Sequence, residues 1–212
     1  MEIDLFYNIL DSKSKTILEN LKEFKKHFYL AGGTGLALQI GHRKYDDFGF
    51  FTHKDFSEIN VHKTINENFR SNFINYLQVE KDTITVPIND KIKISFFSLS
   101  YQNYLPLIET KYFNLADERE IGVMKLISLL RAAYRVYVDL YFILKKYSLE
   151  QIISLAQKKH PEIDIEIYLK SLVSFDDIEI MPLIFTKGNK VSHKQVFNYI
   201  KKCTEEFLIS HK

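Results

Sequence analysis

The residues whose types and spacing suit chemistry crowd into one stretch, "YLAGGTGLALQIGHRKYDDFGFFTHKDF", residues 29–56. Gly32-Gly33-Thr34 leads into an apolar helical pattern. Glycines let an anion approach the backbone, and free N–H groups at a helix start point toward it, so the three residues can seat a phosphate. A tight structural turn between strand and helix is an equal reading. In "DDFGFF", extended backbone puts Asp47 and position 49 on one face and Asp46, Phe48 and Phe50 on the other. A magnesium site with two carboxylates therefore needs acids at 47 and 49, and position 49 is Gly49.

These residues need elements to hold them. "DSKSKTILENLKEFKKHF" spaces Ile17, Leu18, Leu21, Phe24 and Phe28 by threes and fours, which predicts an amphipathic helix over 11–27 capped by Asp11 or Ser12. "FYLAGG" reads as a short buried strand. "TGLALQIGH" reads as a two-turn helix capped by Thr34 and closed near Gly41, and "DDFGFFT" as a second strand. Phe56, Ile59, Ile65 and Phe69 predict a helix over 55–70. "FINYLQVEKDTITVPINDKIKISFFSLSY" alternates in three runs with turns at Lys81-Asp82 and Asn89-Asp90, an antiparallel meander. From about Leu115 the pattern turns helical, with breaks at Ser148, Pro161 and around Gly188. The expected fold class is α/β (α+β): a mixed sheet with flanking helices in a core over 1–112, then a helical region over 113–212.

The 212 residues, 46% of them hydrophobic, suffice for one core of ordinary size or a small core with a helical appendage. Lys+Arg 29 against Asp+Glu 27 leaves a net +2, too little for an overall cationic field of the nucleic-acid-binding kind. A single cysteine, Cys203, excludes an internal disulfide and a multi-cysteine zinc site. "MEIDLFYNIL" lacks the basic start and apolar run of a secretion signal, and no apolar stretch approaches the roughly 20 residues that cross a bilayer. A cytoplasmic protein without a membrane partner is expected.

The string "GGTGLALQIGHRKYDDFGFFT", Gly32 to Thr52, resembles the nucleotidyltransferases of the AbiEii/AbiGii toxin family, whose usual string is close to "GGTALALxLGHRxSxDLDFF". Three further blocks match in order: "IKISFFS" at 92–98, "DEREIGVMKL" at 117–126 and "RAAYRVYVDLYFIL" at 131–144. The resemblance implies a nucleotidyltransferase fold and a toxin of toxin–antitoxin or phage-defence systems, with a cognate antitoxin as partner; some members transfer nucleotides to transfer RNA. Carried over by position, Gly32, Gly33 and Thr34 would bind the phosphates of a nucleoside triphosphate with Arg43 at the same mouth. Asp47 would be the surviving ligand of Mg2+, Lys125 would meet the triphosphate, and Asp139 would be the acid of the "DLYF" helix. Three positions depart from the pattern: Gly49 replaces the second acid of the strand, Val136 an acid of the later helix, and Ala132 a glycine in the turn before it. Magnesium needs hard oxygen ligands to bridge phosphates. Gly49 offers a backbone carbonyl and Ser95 on a neighbouring strand a neutral oxygen, so a weakened site is expected.

Plainer readings stand beside these. Lys125 in an apolar helix can snorkel to solvent. Asp139 can pair with Arg135 at i,i+4 for about 0.2–0.5 kcal/mol. His42 and Arg43 can cap the negative end of the preceding helix. Phe48, Phe50 and Phe51 read as core, and the Lys-Lys pairs at 25–26, 145–146, 158–159 and 201–202 as solvated helix faces.

Overall fold

The computed structural model describes residues 4–45, 47–70 and 72–211, and by internal contacts the chain divides into two units, Met1–Asp117 and Glu118–Lys212. Asp46, which the sequence places on the far face of its strand, lies outside the described residues.

The first unit begins with a short helix, α1 (Ser12–Thr16), whose start is capped by the Asp11 carboxylate accepting from the Ser14 N–H at 2.6 Å. The continuous helix expected over 11–27 is broken: after Thr16 the chain tightens into a 3-10 stretch at Asn20–Phe24 held by i→i+3 bonds. The apolar positions are as the spacing requires, with Ile17, Leu18, Leu21, Phe24 and Phe28 all buried. Packing on the sheet and a bond from the Asn20 amide to the Asn68 carbonyl decide their local geometry over helical propensity.

β1 (Tyr29–Ala31) is buried throughout, and α2 (Gly32–Ile40) follows it directly, stopping at Gly41, whose φ of 65° suits a left-handed cap. Ala31 occupies the capping position, so Thr34 is not the cap; it sits inside the first turn of α2. β2 (Phe48–Thr52) and α3 (Glu58–Asn68, capped by Ser57) come next. The meander forms as β3 (Gln78–Glu80), β4 (Thr83–Ile88) and β5 (Ile92–Ser98). Its turns place Asp82, Asn89 and Asp90 at φ of 65°, 53° and 55°, a region these side chains tolerate.

Two strands escape the sequence reading, β6 (Ile108–Glu109) and β7 (Asn114–Leu115). Among the described residues seven strands form one mixed sheet in the order β3-β4-β5-β2-β1-β7-β6. β2 is antiparallel to β1 and parallel to β5. Its Phe48 and Phe50 face the core with Phe24 and Phe96. The opposite face carries Gly49 and Phe51, which is half-buried and stacks on Phe97.

The second unit is helical: α4 (Glu118–Ile127), α5 (Tyr134–Leu144), α6 (Leu149–Lys159), α7 (Ile165–Val173) and α8 (His193–Ser210). Ser148 with Gln151 and Ser192 with Gln195 form reciprocal capping boxes at the starts of α6 and α8. A 3-10 turn at Ser128–Arg131 separates α4 from α5 and closes on Ala132 at φ 48°. Among the described residues no helix is long and apolar enough to cross a membrane.

Candidate functional site

In the first unit the sheet places Gly32, Gly33 and Thr34 at the end of β1 and Asp47 at the start of β2, neighbours because Ala31 pairs with Gly49. The Thr34 hydroxyl donates to the Asp47 carbonyl, tying the first turn of α2 to the entrance of β2. The first N–H groups of a helix have no partner within it, and the positive end of the helix lies behind them, which is the general basis for an anion seat at such a turn.

Two residues missed by the sequence reading complete the surroundings. Lys93, on β5 one position before the Phe48–Ile94 pair, brings its ammonium to 3.3 Å from the Asp47 carboxylate, with about half of each side chain exposed. Alternation in "DKIKISFF" puts Lys93 and Ser95 on one face, yet only the parallel pairing of β2 with β5 brings that face to Asp47. The second is Tyr45. A Cβ added at Gly33 would collide with its ring, so glycine here permits the close approach of an aromatic side chain. The Arg43 guanidinium lies 3.7 Å from the centre of that ring and donates to its hydroxyl. Arg43 is 4% exposed, so its cation is stacked within the protein beside the turn.

The donors do not fit a magnesium site of two carboxylates. Among the described residues Asp47 supplies the carboxylate at this mouth, and it faces an ammonium. Gly49 lies between Ala31 and Ser95 in the sheet, and the Ser95 hydroxyl is 3.1 Å from that of Thr85. No group of three or more His, Cys, Asp or Glu among the described residues is placed to hold a metal ion.

Lys125 and Asp139 belong to the second unit, where α4 and α5 bring them together as an ion pair at 2.6 Å. Asp139 is fully buried and Lys125 is 9% exposed, so neither the snorkelling lysine nor the Asp139–Arg135 surface pair is realised. Val136, where the sequence resemblance would put an acid, is a core residue. A second sealed pair joins Lys159 to Glu120. Lys159 is therefore not on a solvated face; burial pushes its ammonium below the usual lysine range, and Glu120 opposes that shift.

No family model matches the chain. A protein of Aquifex aeolicus (strain VF5), described as uncharacterized protein aq_aa25, is 36% identical over 161 residues, 71% of this chain and 74% of that one. Among solved structures, a candidate nucleotidyltransferase from H. pylori superposes with a TM-score of 0.60 at 14% identity, covering 94% of this chain and 96% of its own. JHP933 from Helicobacter pylori superposes with a TM-score of 0.58 at 16% identity, covering 93% and 92%. Likeness at such identities carries the fold, which is nucleotidyltransferase-like.

Proposed function

We propose that this chain, which belongs to the same family as the Aquifex aeolicus protein and has a nucleotidyltransferase-like fold, is an AbiEii-type toxin of reduced catalytic power. It takes a nucleoside triphosphate at Gly32–Thr34 and passes the nucleoside monophosphate to a hydroxyl of a tRNA-type RNA; as such a toxin it has a cognate antitoxin. The observation that carries the reading is the tie between the Gly-Gly-Thr turn and Asp47, which sets anion-binding backbone beside an acid. The N–H groups of the turn hold phosphate oxygens. The acceptor oxygen bonds to the α-phosphorus, the α–β phosphoanhydride bond breaks, pyrophosphate leaves, and the hydroxyl proton passes to the Asp47 carboxylate. Reduced power follows from Gly49 and from Lys93, which competes for that carboxylate.

The same Asp47–Lys93 pair favours a second reading, a nucleotide- or partner-binding module without turnover. Incubation of wild type, Asp47→Ala and Gly49→Asp with α-labelled nucleoside triphosphates and total RNA separates the two. Wild-type labelling of RNA that disappears in Asp47→Ala supports transfer. Labelling seen only in Gly49→Asp selects the module, and label on a small acceptor but never on RNA overturns the RNA assignment.

A further inference from the structure

A cavity of about 320 Å3 on the first unit lies between α1 and the loop joining β4 to β5, lined by Ser12, Lys13, Thr16, Asn89, Lys91 and Ile92. Its lining holds two lysines, two hydroxyls and an amide over an apolar floor, and no acid. The Asn89 side-chain oxygen already accepts from the Phe73 N–H at 2.9 Å, which leaves the amide nitrogen as donor. Thr16 directs its hydroxyl to the Lys13 carbonyl at 2.7 Å. Lys13 and Lys91 line the same cavity, and the Lys91 ammonium holds Lys13 below the usual lysine range, an effect Asp11 only partly offsets. Asp11 itself is committed to the Ser14 N–H.

Two cations on one cavity whose lining holds no carboxylate repel each other, and an anion that bridges them converts the repulsion into attraction. A tetrahedral oxyanion seated in the cavity can accept from both ammonium groups and from neutral donors such as Ser12 and Asn89. Register fixes the location. Phe48 pairs with Ile94 in a parallel ladder, so the start of β5 and the start of β2 lie at the same end of the sheet. The cavity therefore opens at the sheet end that carries Asp47, displaced along β5 by the few residues between Lys93 and Lys91.

We propose that the Lys13–Lys91 cavity is a binding site for a phosphate group, distinct from the Gly32–Thr34 turn. Its ligand is a phosphate ion or the phosphodiester of a nucleic-acid strand. The inference stands on the cavity and its charges and does not need the transfer activity proposed above.

The test measures binding of inorganic phosphate by calorimetry and of a fluorescent oligouridylate by anisotropy. It uses wild type, the double variant Lys13→Gln/Lys91→Gln, the charge-matched control Lys26→Gln/Lys54→Gln, and Asp47→Ala. The expected result is binding by wild type, the control and Asp47→Ala, with at least a tenfold loss in the Lys13/Lys91 variant. Phosphate binding with that pattern marks a small-anion site. Binding of the oligouridylate alone marks a strand contact, and the slope of log affinity against log salt then falls by about 1.4, two lysines at about 0.7 each. Equal affinity in wild type and the Lys13/Lys91 variant, equal losses in the control, or no binding of either probe overturns the proposal. A loss confined to Asp47→Ala assigns the anion to the transfer site instead.

Discussion

Gly49→Asp restores a carboxylate two residues from Asp47 on the same strand face, and its consequences can be worked out without knowing the acceptor. A Cβ at position 49 comes to 3.1 Å from Phe51 Cε2 and 3.6 Å from Cζ, with the Ala31 carbonyl at 4.0 Å. The Phe51 ring is half-buried and has to give by a few tenths of an ångström, for about 1 kcal/mol, the low end of overpacking costs. Two rises of about 3.3 Å separate the carboxylates by about 7 Å. At effective dielectric constants of about 80 to 20 their repulsion is about 0.6–2.4 kcal/mol, part of which Lys93 screens. The variant is thus expected to be roughly 1–3 kcal/mol less stable without metal. A magnesium ion held between the two acids with a Kd of about 1 mM would add about 1.4 kcal/mol at about 10 mM, since only the folded state has the site. For a chain of this size that is a rise in Tm of roughly 3–6 °C. Thermal unfolding followed by fluorescence, with magnesium and with matched ionic strength, reads the difference directly. Wild type should move by less than about 1 °C. A wild type that gains as much as the variant would show that Gly49 does not limit metal binding, and a variant that gains nothing would show that positions 47 and 49 do not converge on one cation.

Asp139→Ala removes the buried carboxylate that pairs with the Lys125 ammonium and should cost about 3–5 kcal/mol in denaturant unfolding, while Lys125→Met/Asp139→Leu should cost much less. Ala132 sits at φ 48°, so Ala132→Gly should raise stability by about 0.5–1 kcal/mol, read as a higher denaturant midpoint. Asp11 is held below its usual value of 3.8, first by the Ser14 N–H. A lowered folded value means that its contribution is complete above that pH and is lost as pH falls through the folded value. Asp11→Ala should therefore cost about 1 kcal/mol at neutral pH, the ordinary worth of such a cap, and the gap should narrow in unfolding titrations carried below pH 4.

Particular residues show what was legible. Gly41 and the glycines at 32–33 mark where α2 begins and ends because positive φ and close approach favour that residue, and the alternation of 83–98 with Asn-Asp at its turn wrote the hairpin plainly. The N-terminal segment misled because its apolar spacing reports which side chains are buried, and a chain of tightened turns buries the same set. β6 and β7 are two residues long each, too short for any period, and exist because β1 offers them an edge. At the candidate site, Asp47 and Gly49 were legible as a pair through strand alternation. Lys93 and Tyr45 were not, since Lys93 reaches Asp47 through a parallel pairing far along the chain and Tyr45 reaches Gly33 through a loop conformation without periodic signature. Lys159 looked like half of a solvated Lys-Lys pair because charge alone does not show that Glu120 waits inside.

The sealed lysines give the helical unit its own chemical reporters. An amine buried against a carboxylate cannot meet an acylating reagent, so Lys125 and Lys159 should stay unmodified while exposed neighbours such as Lys158 and Lys170 react. Each becomes labelled only when the helices around it part, at a rate set by the free energy of that opening. Timed modification of these two positions would measure how readily α4 separates from α5 and from α6, with no substitution at all.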